Sequence, residues 1–203
     1  MIKVSEFMRE ITIYDMTSGA PVKIPNPAAL PNGQANRAAF SPDGRFLAVA
    51  HNLTPFMTIY DMSTGTPVKI PEPAALPTGQ GHGAAFSPDG GLLAVGYTSA
   101  NNVCLNIYNM SSGAPVKIPD PPTQVGTSGR GVAFSPDNRF LAIARTATPF
   151  VSIYETNIKD SIRPVTISQA AGLSPFPLYA GIGYSKAAAN IGDTVSADLI
   201  GFQ

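Results

Sequence analysis

Three copies of one phrase constrain this chain more than anything else in it. Phe40-Ser41-Pro42-Asp43-Gly44 returns as Phe86-Ser87-Pro88-Asp89-Gly90 and again as Phe134-Ser135-Pro136-Asp137-Asn138, at steps of 46 and 48 residues. A second phrase keeps the same interval: Ile13-Tyr14-Asp15-Met16, Ile59-Tyr60-Asp61-Met62, Ile107-Tyr108-Asn109-Met110, then Ile153-Tyr154-Glu155. Self-similarity at this period marks a repeat architecture, in which each copy is one supersecondary unit that buries its faces against its neighbours.

The copy at 67–109 reads as four short strands. Pro67-Val68-Lys69-Ile70-Pro71 is a brief run stopped by a proline that cannot donate to a ladder. After a proline- and glycine-rich loop come Gly83-Ala84-Ala85-Phe86, the turn Pro88-Asp89-Gly90, and the apolar run Leu92 to Tyr97. Val103 to Tyr108 follows, and Met110-Ser111-Ser112-Gly113 turns into the next copy. Turns every 8 to 12 residues and no helical period predict an antiparallel meander with little helix. Apolar runs imply that both faces are covered. The expected fold is all-β, a β-propeller of four-stranded antiparallel blades.

Labelled d, a, b, c in chain order, the strands form complete sets at 21–61, 67–109 and 115–155, within a repeat region spanning 1–168. A c strand is left over at 10–15, a d-like run at Arg163 to Ser168, and two non-repeat strands at Leu178 to Ser185 and Thr194 to Phe202. These leftovers predict a fourth blade shared by the two termini, which would hide exposed strand edges. Two alternatives stand beside it: a ring that closes between subunits, and a segment 169–203 that serves as an assembly tail.

Composition removes several functions. Net charge is zero and only 13% of residues are charged, which excludes the basic face of a nucleic-acid binder and a polybasic membrane contact. The single cysteine, Cys104, permits no internal disulfide and is expected to be a buried structural thiol. Met1 to Glu6 shows no apolar signal region, and no run approaches the ~18 apolar residues of a membrane span. With no signal peptide, the expected location is cytoplasmic unless the chain belongs to a virion.

Phe-Ser-Pro-Asp-Gly, Leu-Ala-Val and Ile-Tyr-Asp followed by Gly-x-Pro-Val-Lys-Ile resemble the WD-repeat β-propeller family over residues 11 to 168. Tyr14-Asp15, Tyr60-Asp61, Tyr108-Asn109 and Tyr154-Glu155 stand where that family places Trp-Asp. The family's Gly-His pair is missing, and its blade-turn aspartate is Thr54, Asn102 and Thr148 here. Its buried His-Ser-Asp-Trp hydrogen-bond network is therefore expected to be absent, with packing supplying rigidity instead. The repeat phrase, together with Gly181-Ile182-Gly183-Tyr184 and Asn190-Ile191-Gly192-Asp193-Thr194, also resembles propeller-bearing structural proteins of bacteriophages. That resemblance implies a virion component on a tail or capsid surface, with other virion or assembly proteins as partners and no enzymatic role.

Candidate binding residues lie where the copies differ. If Phe40 pairs near Leu47, Asn36 falls opposite His51, and the same arithmetic sets His82 against Tyr97 and Arg130 against Arg145. These six are expected at the rim that also carries the d–a loops 25–36, 71–82 and 119–130, since loops on a rigid scaffold usually carry binding. The bland reading makes them ordinary solvated rim residues. His51 and His82, without clustered cysteines or carboxylates, fall short of a zinc site. Asn26, Glu72 and Asp120 could ring a cation, but Asx-type loop bonding fits them better. Asp43, Asp89 and Asp137 are turn formers, and Ser41, Ser87 and Ser135 recur without a partner base.

The leading expectation is thus a non-enzymatic scaffold for protein–protein contacts, needing no metal or cofactor and able to form homo-oligomers. An alternative is a host-surface attachment module binding a receptor or glycan through Asn36, Tyr97 and Asn101. A propeller hydrolase or lyase is the remaining reading, with only His51 and His82 as candidate catalytic groups.

Overall fold

The computed structural model describes residues 11–100, 103–121, 126–157 and 161–164. It contains β1 (Tyr14–Asp15), β2 (Val22–Lys23), β3 (Ala35–Phe40), β4 (Phe46–His51), β5 (Met57–Asp61), β6 (Val68–Lys69) and β7 (Gly81–Phe86). The chain continues through β8 (Leu92–Tyr97), β9 (Leu105–Asn109), β10 (Val116–Lys117), β11 (Gly129–Phe134), β12 (Phe140–Arg145), β13 (Val151–Asn157) and β14 (Ser161–Pro164). The described residues contain no helix. Strands β3-β4-β5-β6, β7-β8-β9-β10 and β11-β12-β13-β14 make three four-stranded antiparallel sheets, called I, II and III; β1 and β2 make a two-stranded sheet. The architecture is all-β and propeller-like.

The repeated phrase builds the hairpin between the first two strands of each sheet. In sheet I the Ser41 hydroxyl accepts from the Phe46 amide at 2.8 Å and donates to Asp43 Oδ1 at 2.5 Å. That same carboxylate oxygen accepts from the Arg45 amide at 3.0 Å. Ser87 with Asp89, and Ser135 with Asp137, repeat the arrangement. The next residue has positive φ: +72° at Gly44, +73° at Gly90 and +60° at Asn138. Glycine reaches this region freely and asparagine is among the few other residues that tolerate it, which is why the third copy can spell Asn.

The Ser41 hydroxyl and the Arg45 amide hold the Asp43 carboxyl below its ordinary range, and Ser135 and Arg139 do the same for Asp137. A carboxyl with a depressed folded-state pKa stabilises the fold above its unfolded value, and the contribution drains away as pH falls through the folded value. The melting temperature is expected to hold from neutrality down to about pH 4, the ordinary aspartate range, and to fall below it. Asp43→Asn combined with Asp137→Asn should flatten this acid limb in a series of thermal melts; an unchanged limb would show that these carboxyls contribute nothing to it.

The sheets are offset from the sequence sets. Asp61 accepts from the Ser63 amide at 2.8 Å and Gly65 donates to the Met62 carbonyl at 3.0 Å. This tight turn folds β6 back onto β5, with Tyr60 opposite Lys69. The longer loop that follows carries the chain to the next sheet. Each d strand therefore closes the sheet of the preceding copy, so the sheets span 35–69, 81–117 and 129–164 instead of 21–61, 67–109 and 115–155. The same offset reassigns the ends. Ser161–Pro164, overlapping the run expected to open a fourth blade, is the outer strand of sheet III, and β2 pairs with β1 through Tyr14 opposite Lys23. The chain divides into Met1–Ile167 and Ser168–Gln203. The strands expected at Leu178 to Ser185 and Thr194 to Phe202 lie outside the described residues, as does the rest of 165–203.

Between the sheets lie apolar layers. Phe46, Ala48, Ala50, Met57 and Ile59 of sheet I pack with Phe86, Leu93, Val95, Tyr108 and Met110 of sheet II. Ala94, Leu105 and Ile107 of sheet II pack with Val132, Leu141, Ile143 and Tyr154 of sheet III. Ile11 and Ile13, leading into β1, cover Leu47, Val49 and Tyr60 on the other face of sheet I. Strands β3, β7 and β11 stand side by side as the inner row.

Candidate functional site

The inner row ends in a bulge on each sheet, and the six rim candidates sit around these bulges. Phe40 lies opposite Leu47 as the sequence predicts, and the register runs in step to Arg37 opposite Ala50. It then shifts, so that Ala35 faces His51 and Asn36 is the extra residue. In the same way Gly81 faces Tyr97 with His82 extra, and Gly129 faces Arg145 with Arg130 extra. The expected direct pairs Asn36–His51, His82–Tyr97 and Arg130–Arg145 are therefore displaced by one residue. A bulge leaves its extra residue unpaired and redirects its side chain, so the two halves of each pair take different fates.

Asn36, His82 and Arg130 follow the inner row. Asn36 Nδ2 donates to the Gly81 carbonyl at 2.7 Å, linking sheet I to sheet II. His82 Nε2 is 2.9 Å from Thr98 Oγ1, and Arg130 Nη1 stands 3.4 Å from His82 Nε2, linking sheet II to sheet III. Asn36 and Arg130 are exposed and His82 is half-buried. Burial, and then the neighbouring guanidinium, lowers the His82 pKa from the ordinary histidine value. Arg130→Gln is expected to move that titration upward in an NMR pH series; an unmoved titration would separate the two side chains in solution.

His51, Tyr97 and Arg145 are inside, at 0%, 1% and 7% exposure. This departs from the expectation that all six residues stand on a solvated rim. Each is tied to the neighbouring strand of its own sheet. His51 Nε2 meets Thr58 Oγ1 at 3.0 Å, Tyr97 OH donates to Asn106 Oδ1 at 3.2 Å, and Arg145 Nη2 donates to Ser152 Oγ. Burial lowers the His51 pKa and pushes Tyr97 up to about 12. Among the described residues, His51 Nδ1 and Arg145 Nε and Nη1 have no hydrogen-bond partner. Tyr97 cannot stack on a sugar from this position, and Asn101 lies outside the described residues.

Sequence reasoning missed a second buried set. Asn106 Nδ2 donates to Tyr108 OH at 3.0 Å, and Tyr108 OH donates to the Ala75 carbonyl at 3.0 Å. Tyr60 OH donates to the Ala29 carbonyl at 2.9 Å in the same way. The tyrosine of the repeated Ile-Tyr phrase thus fastens the preceding d–a loop to the sheet. The signal was present in the repeated loop phrase, Pro27-Ala28-Ala29-Leu30-Pro31 and Pro73-Ala74-Ala75-Leu76-Pro77. Polar rigidity of a different spelling therefore accompanies the apolar packing.

The remaining candidate groups have structural partners. Glu72 pairs with Lys69 at 2.7 Å and Asp120 with Lys117 at 2.6 Å, so neither carboxylate is held towards a shared cation. Cys104 is buried, which raises its thiol pKa. Among the described residues, no three His, Cys, Asp or Glu side chains gather as a metal site. Asp61 and Glu155 pair with Arg45 and Arg139 at 3.4 and 3.5 Å, beside the tight turns at the other end of the sheets. What the loop-bearing end offers is an inner row of amide, imidazole and guanidinium groups on rigid strands, suited to hydrogen bonding and anion contact.

No family model matches this chain, and no curated protein matches it. Solved structures do. Hydrazine synthase of Kuenenia stuttgartiensis superposes with a TM-score of 0.56 at 19% identity, over 77% of this chain and 43% of that one. A 6-phosphogluconolactonase-like protein of Bacteroides fragilis gives 0.56 at 16% identity, over 74% and 42%. A functionally unknown protein of Desulfotomaculum acetoxidans gives 0.56 at 23% identity, over 80% and 50%. At these identities the likeness is one of fold, and this chain spans half or less of each of the three.

Proposed function

We propose that this chain is a non-enzymatic β-propeller scaffold that binds a protein partner through its loop-bearing end. In this reading it consists of three full blades and a half-blade, β1–β2. The observation that carries it is the division of labour among the polar groups. The recurring serines and aspartates bond within turns, and His51, Tyr97 and Arg145 are buried and each bonded to the neighbouring strand of its own sheet. Asn36, His82 and Arg130 alone among the six rim candidates are presented outward, as exposed or half-buried groups on the rigid inner row. A row of this kind recognises a surface and does not assemble an acid, a base and a nucleophile. The resemblance of the repeat phrase and of the C-terminal spelling to phage structural proteins supports a virion tail or capsid surface as the setting.

The test is retrieval of partners by tagged chain from a lysate in which virions assemble, run beside Asn36→Ala and Arg130→Glu. Virion proteins held by the parent chain and lost with Arg130→Glu are the expected result. Retention indifferent to both substitutions, or turnover by the parent chain in a hydrolase and lactonase panel, would overturn the reading.

A further inference from the structure

The two ends of the described arc carry the two halves of a contact that the chain already makes once inside itself. In the layer between sheets I and II, Tyr108 and Met110 of β9 and its following turn pack with Phe46, Ala48, Ala50, Met57 and Ile59. The first end is β1, the strand equivalent to β9. Tyr14 and Met16 stand there at the positions of Tyr108 and Met110. Tyr108 and Met110 are 0% and 3% exposed, whereas Tyr14 and Met16 are 53% and 63% exposed.

The other end is sheet III. Phe140 opposite Glu155, Ala142 opposite Ile153 and Ala144 opposite Val151 repeat the register of Phe46 opposite Asp61, Ala48 opposite Ile59 and Ala50 opposite Met57. The five residues of sheet I are buried. Of their counterparts, Ala144 and Val151 are exposed and Phe140, Ala142 and Ile153 half-buried. Phe150, next to Val151, is also exposed. Contiguous apolar surface of this kind marks an interaction site. Sheet III therefore presents the counterpart of the sheet I face that Tyr108 and Met110 fill, and β1 presents the counterparts of the residues that fill it.

We infer that a second copy of this chain covers these ends, with Tyr14 and Met16 of one copy seated on Val151, Ile153 and Phe140 of the other. The solved chains on which this one superposes are covered to 42–50%, so a second arc of equal length makes up about what is missing. A head-to-tail contact of unlike surfaces closes when the rotation between copies completes the circle, and otherwise propagates. Where two copies close on one another in this way, the exposed apolar ends are buried in both.

The full chain is expected to sediment as a species of two chains. Met16→Lys and Val151→Lys each place a charge in the contact while occupying a solvent-exposed site within the single chain. Each is expected to raise the dissociation constant at least about tenfold while the strand signal in circular dichroism is kept. Each variant retains one intact end, so an equimolar mixture of the two should recover a two-chain species that neither forms alone. Milder Met16→Ser and Val151→Thr changes should shift the equilibrium in the same direction if a lysine variant unfolds. A parent chain that is monomeric at all concentrations overturns the inference. So does a dimer indifferent to these substitutions. A monomer that dimerises only after removal of 169–203 overturns it too, because that segment would then be the occupant. None of these results touches retrieval through Arg130, so this inference and the partner-binding reading fail separately.

Discussion

Gly81→Ala and Gly129→Ala are expected to destabilise the fold strongly. Both residues begin an inner strand where it crosses the preceding sheet. A methyl group on Gly81 would sit 2.3 Å from the Phe56 carbonyl oxygen and 3.1 Å from the Ala50 methyl. One on Gly129 would sit 2.4 Å from the Cys104 carbonyl oxygen and 2.8 Å from Ile143 Cδ1. Backbone oxygens cannot swing aside as a flexible side chain does, so relief requires the two sheets to part. Overpacking of this kind costs about 3 kcal/mol, which lowers the melting temperature of a domain this size by roughly 6–12 °C. Ala35 holds the same register position in sheet I and is exposed. Ala35→Val should therefore stay within about 0.5 kcal/mol. Equal effects at positions 35 and 81 in parallel thermal melts would mean that the sheets are not in this close contact.

Much of this architecture is legible in the sequence because the repeats state it three times. The Phe-Ser-Pro-Asp turn, the strands beside it and the pairing of Phe40 with Leu47 follow from turn chemistry and apolar runs. Three features were hidden. The bulges at Asn36, His82 and Arg130 depend on how the inner strands meet the neighbouring sheets, which no local pattern encodes. The offset of the d strands depends on which connection is shorter in space, and repeats are cyclic, so the phrase reads equally well from either start. The fates of His51, Tyr97 and Arg145 were misread for a subtler reason. Variation between copies reads as a sign of display, yet a buried polar position also varies if its partner varies with it. His51 with Thr58, Tyr97 with Asn106 and Arg145 with Ser152 change as pairs. Read singly they look like a rim; read as pairs across adjacent strands they are interior.

Replacing Asn106 should expose how much the fold depends on one such pair. Asn106 is 2% exposed, accepts from the Tyr97 hydroxyl and donates to the Tyr108 hydroxyl. Asn106→Leu keeps the volume and strips both bonds. The Tyr97 hydroxyl then loses its acceptor within the sheet, while Tyr108 keeps its bond to the Ala75 carbonyl. Removing one partner of a buried hydrogen bond costs more than the bond itself is worth, because the survivor remains desolvated, and about 3 kcal/mol is expected here. Tyr97→Phe removes the hydroxyl that has lost this acceptor. The double variant Tyr97→Phe with Asn106→Leu should therefore be more stable than the sum of the single losses by at least about 1 kcal/mol. The coupling can be read from denaturant unfolding of the four proteins in the cycle. Strict additivity would mean that the Tyr97 hydroxyl finds another partner, Thr78 or water, when Asn106 is gone, and that the fold does not depend on this one pair.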